Sequence, residues 1–183
     1  MRDVTVRVVH DASLAAWFGG SLMGVIGLNG AAAQVRDETD RARVAAIGWS
    51  RWQPVNTVAA GAHVLAGIGI TRANRGRIVS QKGVATVATS KAALTGLALA
   101  AHAYAAWLGN QVGDAGDAPV EGATEPAPET PESAAGPQQR LRVVQWTVPV
   151  LTGALVVLNA VMGEHQRPVP VARGVLDRLT PDR

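Results

Sequence analysis

Four apolar stretches limit what this chain can fold into. They cover residues 12–35, 54–71, 83–108 and 143–163. The third is mostly Ala, Leu, Val and Thr, with Lys91 as its one formal charge. The hydrocarbon core of a bilayer is ~30 Å thick and takes about 20 apolar helical residues to cross. The pattern therefore predicts an all-α protein, a bundle of four transmembrane helices. A soluble alanine-rich bundle would need charges on one face of every helix, turn after turn. Residues 12–35 carry no charge at all.

Mean hydropathy is only +0.13. That value averages the apolar stretches with two polar ones, 109–142 and 164–183, and the apolar stretches use Ala and Gly more than Leu and Ile. There is no cysteine, which excludes disulfides, thiolate metal sites and cysteine nucleophiles. Fifteen of the 17 basic residues are Arg, a bias that fits a bacterial genome rich in G and C. The high pI of about 10.2 raises the question of nucleic acid. Yet the basic residues sit at the ends of the apolar stretches and form no stripe interleaved with aromatics. Anionic lipid head groups are the better match, at the basic loop 72–82 with Arg72, Arg75, Arg77 and Lys82.

Residues 1–11 form a short charged head. A charged start, an apolar run and Ala31-Ala32-Ala33 together have the look of a secretory signal. The run is too long for a signal core and three more follow, so the reading is an uncleaved first helix. Within it, Gly20, Gly24, Gly27 and Ala31 fall on one helical face. The small-xxx-small spacing of Gly20 and Gly24 lets helices approach closely in lipid. That face serves packing within the chain's own bundle or, alternatively, a homodimer.

His10, six intervening residues and Trp17-Phe18-Gly19-Gly20 resemble the first helix of the copper-resistance D type and related small bacterial membrane families. The resemblance implies a bundle of membrane helices, with haem or metal binding in some relatives. Met-rich or paired-His motifs are absent beyond this helix, so the resemblance supports the architecture alone.

Residues 36–53 begin charged and end with Trp49 and Trp52. They read as an amphipathic helix at the interface or an extension of the second span, with Pro54 well placed to begin a helix. Residues 109–142 carry Asp114, Asp117, Glu121, Glu125, Glu129 and Glu132 and four prolines between Pro119 and Pro131, with almost no large apolar side chains. Such a composition predicts one long, disordered acidic loop. The tail, 164–183, reads as a short amphipathic surface helix. With four crossings, the head, basic loop and tail share one side and carry ten Lys and Arg against six on the other. The positive-inside rule then places both termini in the cytoplasm of a bacterial inner membrane.

Polar residues recur at spacings that keep them on one face. Asn56 and His63 are seven apart; Gln145, Thr152 and Asn159 are seven apart; Lys91, Thr95 and His102 share a face. Intramembrane polar groups normally turn inward. Aligned by depth, these residues predict a layered seam. Asn56, His102 and Gln145 lie outermost and His63, Thr95 and Thr152 near the middle. Lys91 and Asn159 lie innermost, close to Asp11 and Glu164. As helix–helix glue such groups contribute ~0.6 kcal/mol each. As a ligand site, His63, His102 and Lys91 could hold a quinone, haem or anionic lipid.

No phosphate loop, zinc-ligand spacing or nucleophile elbow is present. The spans also lack the carboxylate that proton-driven transport usually uses. The sequence therefore favours a non-catalytic accessory or scaffold subunit of a membrane or envelope complex. The alternative is a small-molecule-binding redox or transport membrane protein that uses the seam.

Overall fold

The computed structural model describes residues 2–76, 83–114 and 117–165. The tail from residue 166, and Arg77 and Lys82 of the basic loop, lie outside the described residues. Helix α1 spans Arg2–Met23, passes through a π-helical turn at Gly24–Leu28 and continues as α2, Asn29–Ala33. The long helices α3 (Glu38–Ala73), α4 (Val84–Asp114) and α5 (Glu132–His165) follow. All four long helical units are long and apolar enough to cross a membrane.

Helix α1 packs on α3 and α5, and α4 packs on the same two. Helices α1 and α4 therefore stand at opposite corners of a four-cornered bundle. The pairings His10–His63 and Asn29–Trp49 fix α1 and α3 as antiparallel. Asp11–Asn159 and Asn29–Gln145 do the same for α1 and α5. A core of Leu14, Trp17, Ala59, Ala60, Ala98, Val148 and Leu155 draws on all four helices. Larger apolar side chains point outward instead: Val8, Ile26, Val58, Leu65, Leu97, Val150 and Val157 are exposed. Small residues and amides inside with branched aliphatics outside is the arrangement a hydrocarbon solvent favours.

Each helix runs past its apolar stretch. The head is the first turns of α1. Of the 36–53 segment, residues 38–53 are the N-terminal part of α3, which runs 36 residues without a break. Pro54 lies inside α3 rather than at its start, a position tolerated when neighbouring helices hold the backbone in place. Asp37 begins α3 instead. Its carboxylate accepts from the Thr39 amide (3.0 Å) and hydroxyl (2.7 Å), and Glu38 and Asp40 follow in the first turn. Trp49 and Trp52 face α1, against Gly24 and Gly20.

The π turn changes which face of the first span is buried. Gly20 and Gly24 pack against Trp52 and Trp49, as their spacing suggests for packing within one chain. Gly27 and Ala31 are exposed, while Asn29 and Ala32 are buried. A π turn holds one more residue than an α turn, so positions beyond it rotate off the face that a constant 3.6-residue period projects.

The disordered acidic loop is corrected by the structure. Residues 132–142 belong to α5, and 117–131 fold against the bundle. Val120 and Ala123 are buried, and Val120 N–H donates to Glu38 O (3.2 Å). Arg41 donates to Val120 O (3.2 Å), and Gln138 donates to Gly122 O (3.4 Å). The Thr130 hydroxyl donates to Pro119 O (2.5 Å) and accepts from Ala127 N–H (2.8 Å). Composition judged the segment by what it could bury on its own. The long helices instead lend it a wall and the donors that satisfy its carbonyls.

Candidate functional site

A cavity of about 350 Å³ opens in the half of the bundle that carries the 117–131 segment. Its walls come from α1, α2, α3, α4 and α5, with Ala123 and Thr124 of that segment closing one side. The apolar lining is mostly alanine: Ala42, Ala45 and Ala46 from α3, Ala105 and Ala106 from α4. Side chains this short, on helices held apart by their tryptophans and amides, leave the volume unfilled.

Polar groups border the cavity in two sets. The first is closed on itself. Trp49 Nε1–H donates to Asn29 Oδ1 (2.9 Å), Asn29 Nδ2 donates to Gln145 Oε1 (2.7 Å), and Gln145 Nε2 donates to Thr124 Oγ1 (3.3 Å). The Thr124 hydroxyl in turn donates to Glu125 Oε1 (3.0 Å). The chain runs from α3 through α2 and α5 to the 117–131 segment and fixes that wall.

The second set is open. Asn56, 2% exposed, lies 3.4 Å through Nδ2 from both Ser21 Oγ and His102 Nδ1. Its Oδ1 is buried and finds no donor among the described residues. Gln53 Nε2 is 3.5 Å from His102 Nε2.

The residues singled out from sequence separate into two groups. His102, Asn56 and Gln145 come together around the cavity. His63 does not line it. Its ring lies 4.1 Å, centre to centre, from that of His10, and its Nδ1 donates to His10 O (3.2 Å). His10 Nδ1 contacts Asp11 Oδ1 (2.9 Å), and Asn159 Nδ2 donates to the same oxygen (3.4 Å). Lys91 is half-buried near this end, within electrostatic reach of Asp11, and forms no ion pair among the described residues. Thr95 is half-buried on α4; Thr152 is fully buried and its hydroxyl donates to Val148 O (2.7 Å).

Trp17 divides the groups. It is fully buried, 6.2 Å from the His63 ring and 6.1 Å from the His102 ring. His63, His102 and Lys91 therefore do not converge on one ligand. No cluster of three or more His, Cys, Asp or Glu side chains spaced to hold a metal occurs among the described residues. Sequence reasoning missed His10 as the partner of His63. The signal was present, since His10, Leu14, Trp17 and Ser21 follow helical spacing along one buried face.

Comparison with known protein families, with curated proteins and with solved structures finds no match, so the resemblance of the first helix rests on residues 10–20 alone.

Proposed function

We propose that this chain is a multi-pass protein of a bacterial inner membrane, with both termini cytoplasmic, and that it binds a small molecule in the cavity beside Asn56 and His102. One observation carries this reading: an apolar cavity of about 350 Å³ with convergent polar groups at one end. Ligand sites have this character, at volumes of roughly 300–1,000 Å³. Of the two functions the sequence leaves open, the small-molecule reading gains the most support. It draws on the outward half of the seam and leaves the His10–His63 group as structural packing.

Native mass spectrometry of the purified protein, released from detergent in the gas phase, tests it. The wild type is expected to retain a small-molecule adduct, and Ala106→Trp, which fills the cavity, is expected to lose it. A wild type without adducts, and without binding to any member of a fragment library, overturns the proposal.

The scaffold reading keeps one supporting observation. Only Ala98, Leu108 and Val112 of α4 are buried, so a long face of that helix is open for a partner helix within the bilayer. Anionic lipids remain the proposed partner of the basic loop, where Arg72 and Arg75 are exposed.

A further inference from the structure

The position of the cavity's mouth, and the polar groups left unengaged there, narrow the class of ligand; this inference rests on the small-molecule reading above. We infer that the cavity takes a cationic amphiphile. Its ammonium group is held at the mouth by Asp114 and Asn110, and its apolar body lies along the alanines toward His102.

Exposure locates the mouth. Of the residues that line the cavity, Ser50, Asn110, Gly113 and Asp114 are exposed, and all of them belong to α3 or α4. The lining residues from α1, α2, α5 and the 117–131 segment are buried or half-buried. The cavity therefore opens between α3 and α4. A Cβ added at Gly109 or Gly113 meets nothing within 4 Å, so the α4 side of the opening is free of bulk. Asp114 lies about 9 Å beyond the end of the apolar stretch 83–108, and Ser50 about 6 Å before the start of 54–71. The mouth thus stands at or above head-group level, within reach of water. From Asp114 the cavity descends along α4 by twelve residues, about 18 Å, to His102 inside the apolar stretch.

The polar lining divides by depth. Inside, Asn29, Trp49, Gln145 and Thr124 bind one another. Ser21, Gln53, Asn56 and His102 likewise contact one another. Asn56 Oδ1 lacks a donor among the described residues, but it is enclosed and does not face the cavity. At the mouth the Ser50 hydroxyl donates to Ile47 O (2.9 Å). Asn110 and Asp114 remain, and neither forms a hydrogen bond or ion pair among the described residues. They are four residues apart and so share one face of α4. A ligand meets unengaged polar groups at the entrance and an alanine wall below it, which is the pattern an amphiphile complements.

Charge sets the sign of the head group. Asp114 is the one charged side chain that lines the cavity among the described residues; Arg43 and Arg51 of α3 do not line it. Asp114 is also the last residue of α4, whose final turn carries no basic side chain. Its carboxylate adds to the negative end of the helix dipole, so both favour a cation. An ammonium N–H can also donate to the Asn110 carbonyl oxygen. A carboxylate or phosphate head would meet a like charge and no counter-ion.

Three probes of one shape test the inference by calorimetry on the full chain in an uncharged detergent: naphthylmethylammonium, naphthylmethanol and naphthoate. The ammonium is expected to bind about fivefold tighter than the alcohol, the upper range for an exposed ion pair, with naphthoate weakest. That ratio is expected to shrink as salt is raised from about 0.1 M to about 1 M. In Asp114→Asn it is expected to fall to about one with the alcohol's affinity retained. Asp114 is exposed at a helix end, where this substitution disturbs no packing. Ala106→Trp is expected to abolish binding of the ammonium. Binding of the alcohol or naphthoate to the wild type as tightly as the ammonium overturns the cation assignment and leaves the cavity reading intact. So does a ratio that survives Asp114→Asn. Ammonium binding that survives Ala106→Trp places the probe outside the cavity and overturns the inference. Failure of all three probes overturns it too, while the adduct measurement above separately decides whether the cavity holds a ligand.

Discussion

At the scale of single residues, two glycines and one aspartate have sharply defined roles. A Cβ added at Gly20 or Gly24 would collide with the Trp52 or Trp49 ring, so each glycine is the socket for an indole. Gly20→Leu is expected to lower stability by about 1–3 kcal/mol through overpacking, read as a drop in the thermal midpoint in detergent. Gly61→Ala is the contrast. Nothing lies within 4 Å of its added Cβ, so it is expected to be neutral or slightly stabilising. Asp37 makes a pH prediction. The hydroxyl and amide of Thr39 hold its carboxyl below the ordinary value of 3.8. A depressed folded-state value stabilises above the unfolded one, and that contribution is lost as pH falls through the folded value. The first turn of α3 is therefore expected to fray progressively below pH 3.8, seen as faster amide exchange at Thr39 and Asp40. Asp37→Ala is expected to show fast exchange already at neutral pH. Gly20 and Gly24 were legible in the sequence because their spacing is complete where the π turn begins, before its extra residue shifts the face. The tryptophans that fill them were not, since an aromatic next to a charged segment reads equally as an interfacial anchor.

At the scale of elements, the π turn is the decisive irregularity. It directs Asn29 toward Gln145 and Trp49, where a regular helix would have continued the Gly20–Gly24 face through Gly27 and Ala31. Deleting the exposed Ile26 is expected to convert the turn to regular α-helix and swing Asn29 by ~100°, one residue's rotation at 3.6 per turn. The chain has no native cysteine, so Asn29→Cys with Gln145→Cys gives a clean thiol pair. A short bis-maleimide is expected to link that pair in the full-length chain and to fail in the deletion. Linking that survives the deletion would mean the π turn does not set this register. The four long helices could be read from apolar length alone, because nothing competes with that signal over so many residues. Their ends could not. Hydropathy stops where charges begin, but Asp37, Glu38 and Asp40 at a helix start and Glu132 at another are charges that helices favour. The folded 117–131 segment was hidden for a related reason. Its order depends on Arg41 and Gln138, which lie outside it.

At the scale of the whole molecule, the bundle is apolar outside and mixed within. Trp107, Tyr104 and Trp146 are exposed toward the end that carries the 117–131 segment, where an interfacial aromatic belt would lie. Reporters fused to either terminus are expected to be active on the cytoplasmic side only, and a periplasmic signal from either would reverse the proposed orientation. Replacing residues 117–131 with a short Gly-Ser linker is expected to unroof the cavity. A cysteine at Ala106 should then react several-fold faster with a membrane-impermeant maleimide than in the intact chain, and an unchanged rate would show that the segment does not close it. The cavity was beyond sequence reasoning because alanines read as close-packing residues one helix at a time. Whether five of them meet a neighbour or leave a gap is decided only when α3 and α4 are placed together. The seam was half legible for the same reason: its seven-residue spacings found the inward faces, but not the aromatic ring that interrupts them.

That ring has an electrical meaning. His10, His63, Asp11 and Asn159 form one polar region, and the Asn56–His102 cavity forms another. Between them stand Trp17, Leu14, Ala59, Ala60, Ala98 and Leu155, all buried. A continuous file of polar groups from one face of the bilayer to the other would invite a water wire and let protons run down the membrane potential. The indole of Trp17, fully buried between the His63 and His102 rings, interrupts that file among the described residues.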